Sequence, residues 1–291
     1  MPTNPSSSNP LKILFIGDVV GGPGRKIVSQ VLPRLIRRWG LGLVVCNAEN
    51  AAGGSGLTLR CFEELADAGV DVMTMGDHVY RKDEIHQVFD RSDRVLKPAN
   101  FPPDAPGPDL ALVEARDGTP VAVFSVLGRT FMKPVDCPFR AADRILERID
   151  SSFRVVLVDI HAEATSDKQL LGRYLDGRVS AVLGTHTHVA TADAQILPGG
   201  TAFQCDVGMA GPHDGILGRR YDRVLGATLT GVPTHFDVAA GDPRLNGALV
   251  VVDPASGRAL AIHRVAIDQQ DAQRILNDTT DQPADPTVAI G

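Results

Sequence analysis

Short apolar runs alternate along the first two thirds of the chain with segments in which apolar residues recur every three or four positions. The run LKILFI at 11–16 is typical of a buried strand, and apolar residues at helical spacing over 24–38 predict the helix that follows it. The same alternation predicts strands at 41–46, 70–75, 121–127, 154–160 and 179–184, and helices near 58–67, 82–89, 138–149 and 167–175. Strands separated by helices predict β-α-β units and a sheet that is buried on both faces.

The last third of the chain has a different pattern. Gly, Pro and Asp separate short β-like runs without a clear helical pattern, namely TAFQCDVG, RVLGATLTG, THFDVAA, ALVVVDPASG and ALAIHRVAI. The stretch VVDPASGRALAI predicts a hairpin that turns at 254–257. We therefore expect a single domain over 11–268, between a disordered Pro/Ser/Asn-rich tail at 1–10 and a polar tail at 269–291.

Composition and charge limit the class of partner. The 291 residues are 43% hydrophobic and 22% charged, which is ordinary for a globular protein, and their net charge is −6. An acidic chain has no basic surplus to displace counterions, so we expect neither a nucleic-acid duplex nor an anionic membrane as partner. Four scattered cysteines without a CxxC pair favour free thiols, and the sequence shows neither a leader pattern nor an apolar run of about 20 residues. We therefore expect a cytoplasmic protein.

Side chains that can bind metals follow five of the predicted strands. In chain order they belong to Gly17-Asp18, Asn47-Ala48-Glu49-Asn50, Gly76-Asp77-His78, His161 and Thr185-His186-Thr187-His188. The carboxyl ends of strands in an open α/β sheet share one crevice, so we expect these groups to converge. Three carboxylates and four imidazoles in one crevice would repel one another or lose solvation unless cations held them. Oxygen and imidazole donors without thiolates suit manganese, iron, zinc or a similar divalent ion.

Each of these residues alone has an ordinary structural explanation. An Asp after a strand commonly caps a helix, and a single His commonly has a hydrogen-bond partner in the core. His186 and His188 are stronger as a pair, because alternate residues of an extended segment point the same way and can share a site. His213, in the loop sequence AGPHDG, is a weaker candidate. The glycine-rich stretch GDVVGGPGR matches neither of the common nucleotide-binding patterns.

The ordered set of motifs resembles the calcineurin-like metallophosphoesterase superfamily, and more narrowly its bacterial branch of dimetal 2′,3′-cyclic-nucleotide 2′-phosphodiesterases. The motifs are GDVVGGPGR, NAENAAGGSGLT, MTMGDHVY, DIHAEAT and GTHTHVATADAQILPGGTAFQCDVGMAGPHDGILG, and the resemblance extends over nearly all of residues 11–268. It implies a four-layer α/β/β/α sandwich of two sheets flanked by helices. It also implies two metal ions at the strand ends, iron or manganese, and a homo-oligomer.

The same resemblance implies a role for each candidate residue. Asp18, Asn50 and His188 would hold the first metal, Asp77, His161 and His186 the second, Glu49 would bridge both, and His78 would act on the substrate as an acid. The family usually has GNH where this chain has Gly76-Asp77-His78, so a carboxylate replaces an amide ligand. This change lowers the net charge of a dimetal site with a bridging hydroxide from +1 to zero. We therefore expect Asp77→Asn to move the acidic limb of the pH–rate profile downward.

These roles predict hydrolysis of a small cyclic nucleotide or a related phosphoester. A hydroxide bridging the metals would attack phosphorus in line, and His78 would protonate the leaving ribose oxygen. Opening the P–O2′ bond of a 2′,3′-cyclic nucleotide such as 2′,3′-cyclic AMP would leave the 3′-nucleotide. A phosphomonoesterase or a 3′,5′-cyclic phosphodiesterase on the same metals stays open as an alternative, and so does a weakly catalytic protein that senses a ligand.

Overall fold

A computed structural model describes residues 9–278, which contain seven helices and fourteen strands. The helices are α1 (Gly21–Trp39), α2 (Leu59–Asp67), α3 (Ile85–Arg91), α4 (Pro138–Arg148), α5 (Thr165–Tyr174), α6 (Tyr221–Thr230) and α7 (Gln269–Asn277). The strands are β1 (Leu11–Ile16), β2 (Asp18–Val19), β3 (Leu43–Asn47), β4 (Val72–Thr74), β5 (Val95–Leu96), β6 (Ala111–Glu114), β7 (Pro120–Leu127), β8 (Val155–His161), β9 (Ala181–Thr185), β10 (Gln195–Ile196), β11 (Ala202–Gln204), β12 (Met209–Pro212), β13 (Pro243–Val252) and β14 (Ala259–Ile267). Of the two predicted tails, 1–8 and 279–291 lie outside the described residues.

The strands form two sheets. The larger has eight strands in the order β2-β12-β13-β1-β3-β4-β5, with β14 paired to β13, and the smaller has six in the order β10-β11-β9-β8-β7-β6. β1 runs parallel to β3 and antiparallel to β13, while β7, β8 and β9 are parallel neighbours in the smaller sheet. The carboxyl ends of β1, β3 and β4 therefore lie at one edge of the first sheet, and those of β8 and β9 at one edge of the second.

The sheets pack face to face between helices, which confirms the predicted four-layer α/β/β/α sandwich. Strand β1 shows why its sequence is continuously apolar. Ile13 and Phe15 belong to the core between the two sheets, whereas Leu14 and Ile16 belong to the core under α1 and α2. A third core lies between the smaller sheet and helices α4 and α5. Because strand side chains alternate between faces, a strand covered on both faces needs apolar residues at every position.

The predicted hairpin of the last third is confirmed, but two of the β-like runs expected in this third do not form strands. Strands β13 and β14 pair antiparallel around the turn at 254–257. RVLGATLTG lies instead in helix α6, which buries none of its residues and ends at Gly231 in a left-handed conformation. The hydroxyls of Thr228 and Thr230 donate to the carbonyls four residues earlier, so these β-branched residues have hydrogen-bond partners within the helix. The run THFDVAA contributes no more than an isolated bridge between Arg219 and Val238.

The polar C-terminal segment begins with a helix that packs on the domain. Asp268 caps α7 through a reciprocal hydrogen-bond pair with Asp271, and Arg34 on α1 donates to the carbonyl of Ile275. Within residues 9–278, no helix combines the length and the apolar character that a membrane crossing requires.

Candidate metal centre

The residues predicted for the site meet at the edge of the sandwich where strands of both sheets end. Asp18 follows β1, Glu49 and Asn50 follow β3, Asp77 and His78 follow β4, His161 ends β8, and His186 and His188 follow β9. The structure therefore brings together all eight residues, three strand ends coming from the larger sheet and two from the smaller. The two sheets are needed together, because neither one alone carries the full set.

Four of these residues form a first group. Donor atoms of Glu49, Asp77, His161 and His186 all lie within 4.8 Å of one another. His161 Nε2 is 3.2 Å from Glu49 Oε1 and 3.5 Å from Asp77 Oδ1. His186 Nδ1 is 3.0 Å from His161 Nε2 and 3.6 Å from Asp77 Oδ1. Two carboxylates and two imidazoles thus point their donor atoms at a common centre.

This first group fits a bound cation. Glu49 Oε1 and Asp77 Oδ1 are buried, and neither accepts a hydrogen bond of good geometry from the described residues. A buried carboxylate oxygen without a partner is costly, and a cation held by all four donors would remove that cost. In the protein without a metal, burial opposes the charged form of His161. The carboxylates of Glu49 and Asp77 nevertheless hold its pKa well above the ordinary value. The charge of the group itself therefore attracts a positive ion.

Asp18, Asn50 and His188 form a second group beside the first. Asn50 Nδ2 donates to Asp18 Oδ1 at 3.2 Å and lies 3.3 Å from His188 Nε2, which is 3.5 Å from the same Asp18 oxygen. Asp18 Oδ2 accepts from the backbone N–H of His186 at 3.0 Å and so links the two groups. Burial opposes the charge on both Asp18 and His188. Their mutual attraction nevertheless lowers the pKa of Asp18 and raises that of His188.

His78 lies between the groups, with part of its ring accessible. Its backbone N–H donates to Glu49 Oε2 at 2.9 Å, and its Nδ1 is 2.9 Å from Asn50 Oδ1. Its Nε2 lies 3.7 Å from Asp77 Oδ2. Because the Asn50 amide donates to the Asp18 carboxylate, its oxygen faces His78, and Nδ1 of His78 must carry a proton. The second ring nitrogen is then free for chemistry.

The histidine pair after β9 does not lie in an extended segment, as its spacing predicts. His186 has φ 93° and His188 has φ 63°, so both backbones are left-handed. The chain turns between them, and the two rings enter different groups rather than sharing one. His213 is not part of either group, since it lies between the Gly211 carbonyl and Asn246.

Sequence reasoning missed the residues that hold this turn. Lys168 Nζ and Asp206 Oδ2 form a fully buried ion pair at 2.7 Å. The same carboxylate oxygen accepts from the backbone N–H and the hydroxyl of Thr187, at 3.1 and 2.7 Å, and so fixes the residue between His186 and His188. A lysine and an aspartate 38 residues apart give no local pattern that predicts their contact.

A second set of missed residues lies behind His161. Its Nδ1 is 2.8 Å from Thr185 Oγ1, whose hydroxyl donates to Asp159 Oδ1 at 2.6 Å. Asp159 Oδ2 also accepts from Thr74 at 2.5 Å and from Asn47 at 3.1 Å. These contacts orient the imidazole in the way that partners of metal-ligating histidines do. The visible signal was an Asp inside the otherwise apolar run RVVLVDI.

Gly76 leaves the room that the first group needs. A Cβ at this position would lie 2.3 Å from His161 Nε2 and 2.4 Å from Glu49 Oε2. The chain can therefore bring β4 this close to the donor atoms only without a side chain. A cavity of about 510 Å³ opens in front of the groups and is lined in part by Glu49, Asn50 and His78. A second cavity of about 530 Å³, between α1 and α7, is lined by none of the candidate residues.

Known proteins resemble this chain in sequence over most of its length. A family described as YmdB-like protein matches residues 14–265. A 2′,3′-cyclic-nucleotide 2′-phosphodiesterase of Bacillus subtilis (strain 168) is 44% identical over 258 residues, which cover 89% of this chain and 97% of that protein. A putative phosphatase/phosphodiesterase of Mycoplasma genitalium is 33% identical over 275 residues, which cover 92% of this chain and 97% of that protein.

Two crystal structures resemble the fold. A hypothetical protein from Thermus thermophilus superposes with a TM-score of 0.84 at 43% identity, covering 89% of this chain and 99% of the other. A protein described as a novel phosphatase, from Mycoplasma pneumoniae, superposes with a TM-score of 0.84 at 30% identity, covering 97% of this chain and 99% of the other.

Proposed function

The chain belongs to the YmdB-like protein family, within the calcineurin-like metallophosphoesterases, and from this premise we propose that it is a dimetal phosphodiesterase acting on 2′,3′-cyclic nucleotides. The observation that carries the proposal is the pair of adjacent donor groups, with two buried carboxylate oxygens that lack hydrogen bonds, at the floor of an open cavity. The similarity to a 2′,3′-cyclic-nucleotide 2′-phosphodiesterase over 97% of its length supports the choice of substrate.

The two groups would each hold one metal ion. Asp77, His161 and His186 would ligate one ion, Asp18 and His188 the other, and Glu49 would bridge them. Asn50 would join the second set through Oδ1, the oxygen that also faces His78 Nδ1, because an amide nitrogen has no lone pair for a metal. We propose iron or manganese, because mixed oxygen and imidazole donors without thiolate suit these ions. When bound, the ions would neutralise phosphoryl charge and lower the pKa of a water molecule.

His78 would serve as the general acid. Its Nδ1 proton is donated to Asn50 Oδ1, so Nε2 carries a second proton only in the imidazolium form of the ring. The imidazolium would deliver this Nε2 proton to the departing 2′ oxygen and be left as the neutral ring. The ring is held from two sides, by this contact and by the hydrogen bond of its own backbone to Glu49. A fixed ring beside the phosphate position supplies the proton without reorganisation, and the product would be the 3′-nucleotide.

Product analysis tests the proposal. Protein loaded with manganese or iron is incubated with 2′,3′-cyclic AMP, and the products are separated by chromatography. We expect the 3′-monophosphate, and a loss of about 10²- to 10⁴-fold in kcat for His78→Ala, since that is the range for a missing general acid. His86→Ala, at an exposed position of α3, is the matched control and should retain activity.

Other outcomes would point to other functions. Formation of the 2′-monophosphate would show that the opposite ester bond breaks, and release of inorganic phosphate would indicate a phosphomonoesterase. Absence of turnover despite two bound metals would contradict the proposal and favour a ligand sensor. We also propose a homo-oligomer, which light scattering checks through the molar mass in solution.

A further inference from the structure

One side of the cavity above the metal-binding residues is apolar. It consists of Val189, Ile216, Leu217, Val224 and Phe236, which we call the apolar wall. Four of the five are exposed, with relative accessibilities of 59% for Val189, 42% for Ile216, 47% for Leu217 and 38% for Phe236. Exposed apolar side chains grouped beside a polar site commonly mark a place where a ligand is bound.

The apolar wall is held in a defined position over the site. Arg219 donates to the carbonyl of Phe236 at 3.0 Å and also to the carbonyl of Gly54, which ties the segment to the loop after Glu49. Arg219 further pairs its backbone with Ile216 and with Val238 in isolated bridges. These contacts fix the position of the apolar wall relative to the metal-binding residues.

Leu217 joins the wall directly to the metal-binding residues. Its carbonyl lies 3.1 Å from His188 Nδ1, which orients the imidazole of the second group. Its backbone has φ 51°, a left-handed conformation that a Leu adopts only when its surroundings enforce it. Leu217 thus lines the cavity while its carbonyl orients the ring of His188.

The apolar wall offers a surface for contact but no group that reads hydrogen bonds. Its five side chains are aliphatic or phenyl, and the guanidinium of Arg219 already donates to two carbonyls. The other polar side chains that line the cavity face the metal-binding residues: Glu163 Oε2 lies 3.2 Å from His186 Nε2, and the Thr187 hydroxyl donates to Asp206. A group that binds here must therefore present a flat, weakly hydrated face. In a 2′,3′-cyclic nucleotide the nucleobase has this character, and the ribose places it within reach of the cyclic phosphate. Stacking of bases on aromatic rings tolerates any base, because every base has a π-face.

We propose that the apolar wall is the nucleobase subsite and that it binds the face of the base without reading its edge. This inference rests on the proposed function, since it assumes that the cyclic phosphate lies at the metal-binding residues. Phe236 would supply the stacking surface, and Ile216 and Leu217 would complete the contact. Adenine, guanine, uracil and cytosine would all be accepted, with purines bound more tightly because they cover more of the wall.

Steady-state kinetics on the metal-loaded protein test the subsite. The substrates are the four 2′,3′-cyclic nucleotides and the base-free 1-O-methylribose 2′,3′-cyclic phosphate. We expect kcat/KM for the four nucleotides to lie within about tenfold of one another, and KM for the base-free compound to be about tenfold higher or more. Phe236→Ala should raise KM for 2′,3′-cyclic AMP about tenfold, leave kcat within about twofold, and leave the base-free substrate unaffected.

The matched control is Leu229→Ala. Leu229 belongs to the same exposed segment, with a relative accessibility of 74%, but it does not line the cavity. It should leave every kinetic constant unchanged. Titration calorimetry with adenosine 3′-monophosphate gives a readout that needs no turnover, and Phe236→Ala should weaken this binding about tenfold.

The outcomes separate the subsite from the proposed function. Hydrolysis of both kinds of substrate with equal KM, unaffected by Phe236→Ala, would refute the subsite and leave the phosphodiesterase intact. If no cyclic phosphate is cleaved, the proposed function fails. The calorimetry then decides the subsite alone, because equal affinity of wild type and Phe236→Ala would overturn it. A change in molar mass of Phe236→Ala without a change in KM would show that the wall contacts another subunit, which also overturns the subsite.

Discussion

Asp159 gives the sharpest test of the electrostatics behind the metal-binding residues. Its carboxylate is fully buried and accepts hydrogen bonds from Asn47, Thr74 and Thr185. Burial nevertheless raises its pKa from 3.8 to about 6. A difference of about two pKa units, at about 1.4 kcal/mol per unit, amounts to about 3 kcal/mol of ionisation cost in the metal-free folded protein.

The sign of the pH dependence follows from the direction of this shift. Because the pKa is raised on folding, the folded protein keeps the Asp159 proton at pH values where the unfolded chain has lost it. The contribution of Asp159 to the free energy of unfolding is therefore complete below about pH 4, and it is lost as the pH rises through about 6. The asparagine of Asp159→Asn cannot ionise, so the variant should not lose this stability as the pH rises. Its amide nitrogen cannot accept a hydrogen bond where a carboxyl oxygen can, which costs about 1–3 kcal/mol.

Urea unfolding of chelator-treated protein measures this effect. We expect Asp159→Asn to have a lower free energy of unfolding than wild type at about pH 4. Between about pH 4 and about pH 7, the free energy of unfolding of the variant should rise by about 3 kcal/mol relative to that of wild type. Asp104→Asn, at an exposed position, is the control and should stay parallel to wild type. If the curves of wild type and Asp159→Asn are also parallel, burial does not perturb this carboxyl and the reasoning is wrong.

Three further substitutions probe the site itself. Gly76→Ala should lose at least one equivalent of bound metal, measured by mass spectrometry, because its Cβ would lie 2.3 Å from His161 Nε2. Gly22→Ala is the control: its Cβ would meet no atom within 4 Å, and it should bind metal as wild type does. Thr187→Val should weaken metal binding about tenfold in calorimetry, with recovery in the Ser variant, because the hydroxyl that fixes the turn is lost. Asp77→Asn should move the acidic limb of the pH–rate profile down by about one unit, since one negative charge fewer faces the metals; an unmoved or raised limb would contradict this.

The sequence predicts the layers of this fold better than its surface segments. Strands such as β1 and β8 are buried on both faces, so their apolar runs are continuous and unmistakable. Helix α6 has the opposite property, since it buries no residue and leaves its apolar side chains Tyr221, Leu225 and Leu229 exposed. Its Thr and Val residues favour strands by propensity, and local hydroxyl contacts decide the outcome instead.

The sequence predicts the residues at the centre of the candidate site, but not the contacts around them that fix their orientation. The rule that strand ends converge places Asp18, Glu49 and His161 together, and the structure confirms their proximity. The spacing of His186 and His188 wrongly predicts that both rings point to one site. The direction of each ring depends on a left-handed backbone, which the residue type at these positions does not predict. Contacts that fix such a backbone come from elsewhere in the chain and have no sequence signature.

The buried pair Lys168–Asp206 shows what those distant contacts contribute. A buried ion pair adds little net stability, because the loss of hydration of both charges offsets most of their attraction. Asp206, however, directs one oxygen to Lys168 and to Thr187, and its other oxygen accepts from the backbone of Gly208 at 2.8 Å. All of these partners except the lysine belong to the chain around the site. An apolar pair of equal volume could fill the same space but would leave the Thr187 N–H without an acceptor. The left-handed turn would then lose the contact that offsets its strain, and the rings on either side would no longer be directed to two adjacent centres.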